Sequence, residues 1–205
     1  LLLVKKINVP ITVKMRLGWD KDNMNVIPLS KDLESSGMSM LTVHGRTRDQ
    51  FYNGLADWSY ISKIKDNIKV PLIANGDISS IDSAKECLRI TKADGVMIGR
   101  AALGAPWLPG QIQSYINDNI KQEDQPLNTI CNTIITHYEM LLSCYGIERG
   151  NRISRKHISW YISKLNTKHD VKAFLSEIYK QTNPIKVKSM IKSYLLSNNE
   201  IYLNG

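Results

Sequence analysis

Cysteine is scarce in this chain of 205 residues: Cys87, Cys131 and Cys144 lie far apart, with no CxxC spacing. That excludes a disulfide framework and a cysteine-based zinc site, and it points to a reduced, cytoplasmic setting. No metal is expected. Long apolar runs are also missing. The longest near the start, Leu1 to Val4, is closed by Lys5 and Lys6, too short for a signal h-region or a membrane span, so no membrane partner is expected. Acidic residues are outnumbered, 19 against 27 basic ones, giving a net charge of +8. The excess is even: 15 basic against 11 acidic residues up to residue 110 and 12 against 8 beyond it, +4 in each part, so no charged tail accounts for it. Such a surface suits an anionic partner such as RNA, although a lysine-rich background composition produces the same balance.

What is present is a repeat of short apolar runs closed by polar or glycine residues. Val9 to Arg16 ends in Leu17-Gly18, Met40 to Val43 at His44-Gly45-Arg46, Val70 to Ala74 at Asn75-Gly76-Asp77, and Gly95 to Ile98 at Gly99-Arg100. Nearly continuous apolar runs of this length are the mark of parallel strands buried on both faces. The ends at Lys14, His44, Asn75 and Gly99 are spaced by 30, 31 and 24 residues, the length of a βα unit. Helices are predicted between them at about 26–36 (stopping at Gly37), 58–67 and 80–90. Pro28 predicts a late start for the first, and Pro109 an interruption after Trp107. From Ala105 onward no strand signal is read; helices are predicted at 128–144, 154–165, 171–180 and 184–196. The domains are therefore 1–116 and 117–205, joined through the polar segment Asn117 to Pro126.

Four strand-end segments, in this order, resemble the tRNA-dihydrouridine synthase family, particularly its bacterial members. They are Val13-Lys14-Met15-Arg16-Leu17-Gly18-Trp19, Val43-His44-Gly45-Arg46-Thr47-Arg48, Ile73-Ala74-Asn75-Gly76-Asp77-Ile78 and Met97-Ile98-Gly99-Arg100-Ala101-Ala102, with Pro106-Trp107 following. Downstream, Tyr145-Gly146, Arg152-Ile153, Arg155-Lys156-His157 and Trp160-Tyr161 are similar to the family's helical domain. The resemblance implies an α/β fold: a partial TIM barrel, strands five to eight with their helices, followed by an all-α tRNA-binding domain. It implies FMN as cofactor, NADPH as reductant and reduction of uridine to 5,6-dihydrouridine in tRNA.

TIM-barrel sites lie at the C-terminal strand ends, with phosphate commonly bound after strands seven and eight. The cofactor-binding residues expected on that basis are Lys14, His44, Asn75, Gly76, Asp77, Gly99 and Arg100. Glycine lets backbone amides approach a phosphate, and Arg100 adds charge-assisted bonds. Lys14 and His44 match the family's flavin-contacting lysine and histidine; from the residues alone they read as a surface lysine and a core histidine. Arg46 and Arg48 are expected to bind RNA, or else to hold their loop through Asp49 or Asp57. Arg152, Arg155 and Lys156 are expected to bind RNA from the helical domain, within a cluster that includes Arg149, Lys164 and Lys168.

The family's catalytic cysteine belongs to an Asn-x-x-Cys-Pro type segment that is absent here, and none of the three cysteines is expected to inherit its role. The chain starts with Leu, not Met, and is expected to be a C-terminal piece. Four βα units cannot close an eight-stranded barrel, so open sheet edges and weak FMN binding by the chain alone are expected. A separate N-terminal half is one partner this leaves open; a full-length protein is expected to be a monomer. A catalytically dead RNA-binding remnant and another FMN-dependent barrel reductase are the alternative readings.

Overall fold

The computed structural model of the chain describes residues 6–166, 170–196 and 202–203. The Leu1 to Val4 run and Lys168 lie outside the described residues. Contacts divide the chain into two compact units, one of residues 1–102 and 108–120, the other of 103–107 and 121–205.

The first unit is built on four parallel strands, β1 (Thr12–Arg16), β2 (Met40–His44), β3 (Leu72–Asn75) and β4 (Gly95–Met97), hydrogen-bonded in the order β1-β2-β3-β4. Connecting them are helices α1 (Val26–Ser35), α2 (Trp58–Lys65) and α3 (Ile81–Thr91), and α4 (Leu108–Asp118) follows a single 3-10 turn at Arg100–Ala102. The helix ends are written in the sequence. Asp57 accepts the Tyr60 N–H to start α2, and Ser80 and Ser83 form a reciprocal capping box at α3. Gly37, at φ 92°, lies two residues beyond the end of α1.

Burial separates the central strands from the outer ones. Leu41, Val43, Leu72 and Ala74 are fully buried on β2 and β3, whereas Thr12 and Lys14 on β1 are exposed and all of β4 is half-buried. The core they share with Val26, Ile61, Ile64, Ala84 and Cys87 is aliphatic, each such Leu or Ile contributing roughly 1.5–3 kcal/mol.

Both proline expectations are corrected. Pro28 and Pro109 lie in the first turns of α1 and α4, where an amide N–H has no intrahelical partner to lose, so neither delays nor interrupts its helix.

The second unit contains α5 (Leu127–Tyr145), α6 (Ile147–Ile162), α7 (Val171–Lys180) and α8 (Pro184–Leu196). Its core joins Ile130, Ile134 and Tyr138 of α5 to Ile158 and Ile162 of α6 and Ile191 and Leu195 of α8. Asn151 ties three segments together: it accepts from the Tyr138 hydroxyl, and its amide donates to the Thr182 carbonyl at 2.7 Å. Two expectations change here. Helix α6 starts at Ile147, not Ser154, with Gly150 inside it; a Cβ at Gly150 would lie 2.8 Å from the Leu141 carbonyl oxygen, so the glycine serves close helix packing. A two-residue antiparallel ribbon, β5 (Leu165–Asn166) with β6 (Tyr202–Leu203), adds strand where none was expected. The unit boundary also differs from 116/117, because α4 runs to Asp118 and residues 103–107 belong with the helices.

Candidate active site

The parallel register lines up the strand ends. Arg16 of β1 is opposite His44 of β2, His44 is opposite Asn75 of β3, and Asn75 is opposite Met97 of β4. Each βα unit therefore delivers its closing residue to one row at the C-terminal edge of the sheet. Of the residues expected there, Lys14, His44, Asn75, Gly76, Asp77, Gly99 and Arg100 all lie on or just beyond these strand ends.

Below the row is a tightly bonded ledge. Arg46 is only 2% exposed. Its Nη2 donates to both Asp77 oxygens, at 2.8 and 2.7 Å, and to the Gly54 carbonyl at 2.6 Å. Its Nε donates to the Asn53 carbonyl at 3.2 Å, and its Nη1 lies 3.2 Å from His44 Nε2. Of the two expectations for Arg46, RNA binding or holding its loop, these contacts match the second: the guanidinium is buried and turned to protein acceptors. The carboxylate that holds it is Asp77, 31 residues on, rather than Asp49 or Asp57. Asp77 has φ 56° and also accepts the Ala56 N–H at 2.7 Å. Burial raises its pKa, but the Ala56 and Arg46 hydrogen bonds and the charges of Arg46 and Arg100 outweigh this and hold it below the ordinary value. Its carboxylate thus faces inward to Arg46. The Asn75 amide is likewise engaged, donating to the Met97 carbonyl at 2.7 Å and so clamping β3 to β4.

Above the ledge is an open cationic rim. Lys14 is exposed, and burial of its nitrogen, with Arg16 nearby, lowers its pKa. Arg16 donates to the Thr47 and Phe51 carbonyls at 2.7 and 2.9 Å. Arg100, 58% exposed, lies 3.9 Å from Asp77 and packs its guanidinium over the Tyr52 ring at 4.1 Å. Arg48 is exposed, over Phe51 at 4.5 Å and Trp19 at 5.8 Å. Trp19, Phe51 and Tyr52 are 66, 56 and 55% exposed, an unusual display of aromatic surface. Burial, then Arg16, Lys14 and Arg46, push His44 from 6.5 down to about 4, against a smaller opposing effect of Asp77. Three cations, Arg16, Lys14 and Arg46, thus lie near the His44 ring.

Two glycines differ in what they do. Gly76, at φ 115°, has no room for a side chain: a Cβ would lie 2.8 Å from Ala56 Cβ and 3.2 Å from the His44 ring. A Cβ at Gly99 would meet nothing within 4 Å, so its surface is open for the approach of a ligand.

Sequence reasoning left Arg16 and Tyr52 unassigned. Arg16 was signalled by its place two residues after Lys14 on the same strand, hence on the same face of the sheet. Tyr52 sits in an irregular loop, where no periodicity marks it. None of the three cysteines is on a strand. Cys87 is buried on α3 with its thiol pushed up to about 12 by desolvation; Cys131 and Cys144 belong to α5.

In the second unit, Arg152, Arg155 and Lys156 lie on successive turns of α6, with Lys156 over the Trp160 ring at 4.8 Å. His137 and His157 meet edge to face at 4.6 Å, and His137 Nδ1 is 3.2 Å from the Tyr161 hydroxyl.

A family model described as dihydrouridine synthase (Dus) matches residues 2–197. The chain is 42% identical over 194 residues to a probable tRNA-dihydrouridine synthase of Rickettsia conorii, covering 95% of this chain and 58% of that protein. It is 44% identical over 160 residues to tRNA-dihydrouridine synthase B of Pasteurella multocida, covering 78% of this chain and 48% of that protein. The chain thus spans about half the length of the relatives it matches. With the four strand-end segments assembled in one row and the match running across both units, the chain belongs to the dihydrouridine synthase family.

Proposed function

We propose that this chain carries the flavin-binding strand ends and the RNA-binding helices of a tRNA-dihydrouridine synthase, which reduces uridine in tRNA to 5,6-dihydrouridine with FMN as cofactor and NADPH as reductant. In this reading β1 to β4 are strands five to eight of an eight-stranded barrel, and the second unit is its all-α tRNA-binding domain. The observation that carries it is the open cationic rim at the strand ends, where Lys14 and Arg16 lie near His44 and Arg100 lies 3.9 Å from Asp77, a carboxylate already engaged by Arg46. A phosphate-bearing flavin fits that rim. The open face of Gly99 admits close backbone approach, and Arg100 is exposed enough to reach an anion.

FMN held there would supply hydride chemistry, with NADPH as the source of electrons and the C5=C6 bond of uridine as the acceptor. The chain's own residues bind and orient. Arg100 and the backbone at Gly76 and Gly99 would hold the phosphate. Lys14 would hold the pyrimidine edge of the ring system, where its charge favours the reduced, anionic form. The exposed Tyr52, Phe51 and Trp19, interleaved with Arg16 and Arg48, suit a base swung out of its stack, which costs a few kcal/mol that stacking on aromatic rings helps offset. Arg152, Arg155 and Lys156 would bind tRNA phosphates, a contribution that weakens with salt. This reading assigns the proton for the second carbon to none of the three cysteines: Cys87 is buried on α3, and Cys131 and Cys144 belong to α5.

The test compares FMN with riboflavin, which lacks the phosphate, by quenching of flavin fluorescence. FMN is expected to bind at least tenfold more tightly, and Arg100→Ala to remove the difference. Equal binding of the two flavins would sink the phosphate assignment. Chain supplied with FMN, NADPH and tRNA is expected to form no dihydrouridine, read by nucleoside mass; turnover would show that an acid is present after all.

A further inference from the structure

The ledge beneath the strand ends fixes more than the backbone. We propose that Arg46 is a positioning residue: clamped by Asp77, it locks His44 as the neutral tautomer protonated on Nδ1, so that the site offers its ligand an uncharged N–H donor.

The argument starts from what arginine can do. A guanidinium has only donors, so an Arg46 Nη1 that lies 3.2 Å from His44 Nε2 requires a lone pair on that nitrogen. The ring proton must then be on Nδ1. Arg46 cannot turn away to relieve a different arrangement, because Nη2 is shared among both Asp77 oxygens and the Gly54 carbonyl, and Nε is held by the Asn53 carbonyl. The imidazole is also packed against the turn after β3. Gly76 packs so closely that a Cβ there would lie 3.2 Å from both Cδ2 and Nε2.

Every charged group facing the ring acts in the same direction or is already engaged. Lys14 and Arg16 face it from β1 and Arg46 from its own loop; Asp77, from the turn after β3, spends its carboxylate on Arg46 and the Ala56 N–H. The Tyr52 ring, 6.4 Å away, adds no charge. An imidazolium would set N–H against N–H beside three cations. His44 is thereby excluded as the proton source for a substrate at neutral pH, and its role is to donate to an acceptor atom. That the acceptor belongs to a flavin rests on the reading above; the tautomer itself does not.

The tautomer is read directly by two-bond 1H–15N correlation on chain labelled with 15N-histidine, with the His44 signals assigned through His44→Gln. The native chain is expected to show Nδ1 protonated and Nε2 bare from pH 8 down to about pH 5. An Arg46→Met/Asp77→Leu variant removes donor and clamp together, leaving no buried unpaired charge, and keeps the experiment informative if Arg46→Met alone fails to fold. In a folded double variant, Nε2 should become protonated, while burial, Arg16 and Lys14 still keep the ring neutral near pH 7. A native His44 protonated on Nε2, or an unchanged tautomer in the double variant, would overturn the proposal. Loss of the FMN preference over riboflavin with the Nδ1–H tautomer intact would instead overturn the flavin reading alone.

Discussion

Two arginines face the same carboxylate and do opposite things. Arg46 meets Asp77 at 2.7 Å with 2% of its side chain exposed, whereas Arg100 meets it at 3.9 Å with 58% exposed. The first is structure: its charge has left water and every donor direction used has a protein acceptor. The second keeps its solvation and can exchange a weak protein contact for a ligand. Identical side chains two βα units apart are thus sorted by burial into ledge and rim, and the sequence motif in which each sits does not distinguish them.

The largest effect should come from breaking the ledge. Asp77→Ala leaves a buried guanidinium uncompensated and is expected to cost about 3–5 kcal/mol in urea unfolding. A loss below about 1 kcal/mol would mean that the two arginines are alike. Gly76→Ala should follow at roughly 2–3 kcal/mol, because φ 115° is strained for alanine and the methyl would press on Ala56 and His44. Next comes pH. The folded pKa of His44, about 4, is below its ordinary 6.5, so below pH 6.5 the unfolded chain binds the proton more readily. Stability contributed by His44 is full above pH 6.5 and is lost as pH falls toward 4, by about 2 kcal/mol. His44→Gln should flatten that part of the pH–stability curve. Asp77, with its pKa also lowered, loses its contribution only at still lower pH, as its carboxylate protonates. Smallest is Arg100→Ala, expected to change stability by less than about 0.5 kcal/mol while removing the FMN preference.

Much of this arrangement was legible in sequence because buried parallel strands are continuously apolar and their ends are not. His44 and Asn75 were found that way, and the register confirms that they are neighbours. The Arg46–Asp77 pair was not found, although a signal existed: each residue stands two places beyond its strand end, and the strand ends are 31 residues apart, as is the pair. Local reading favoured Asp49 and Asp57 because they are near in sequence. Parallel strands instead bring together residues one whole βα unit apart. The early start of α6 was hidden by Gly150, a poor helix former retained for close packing on α5. The two-residue ribbon was too short for any period to show.

The cysteines, introduced as an absence of disulfide or metal chemistry, supply a laboratory handle. Cys87 and Cys131 are buried with raised pKa values, while Cys144 is exposed near the end of α5, next to Tyr145 and one helix turn from the basic start of α6. A maleimide dye at neutral pH should therefore label the native chain once, without mutagenesis, at the helices proposed to meet tRNA. The natural sequence thus carries its own single-site reporter for RNA binding, and unfolding should be visible as two further thiols becoming reactive.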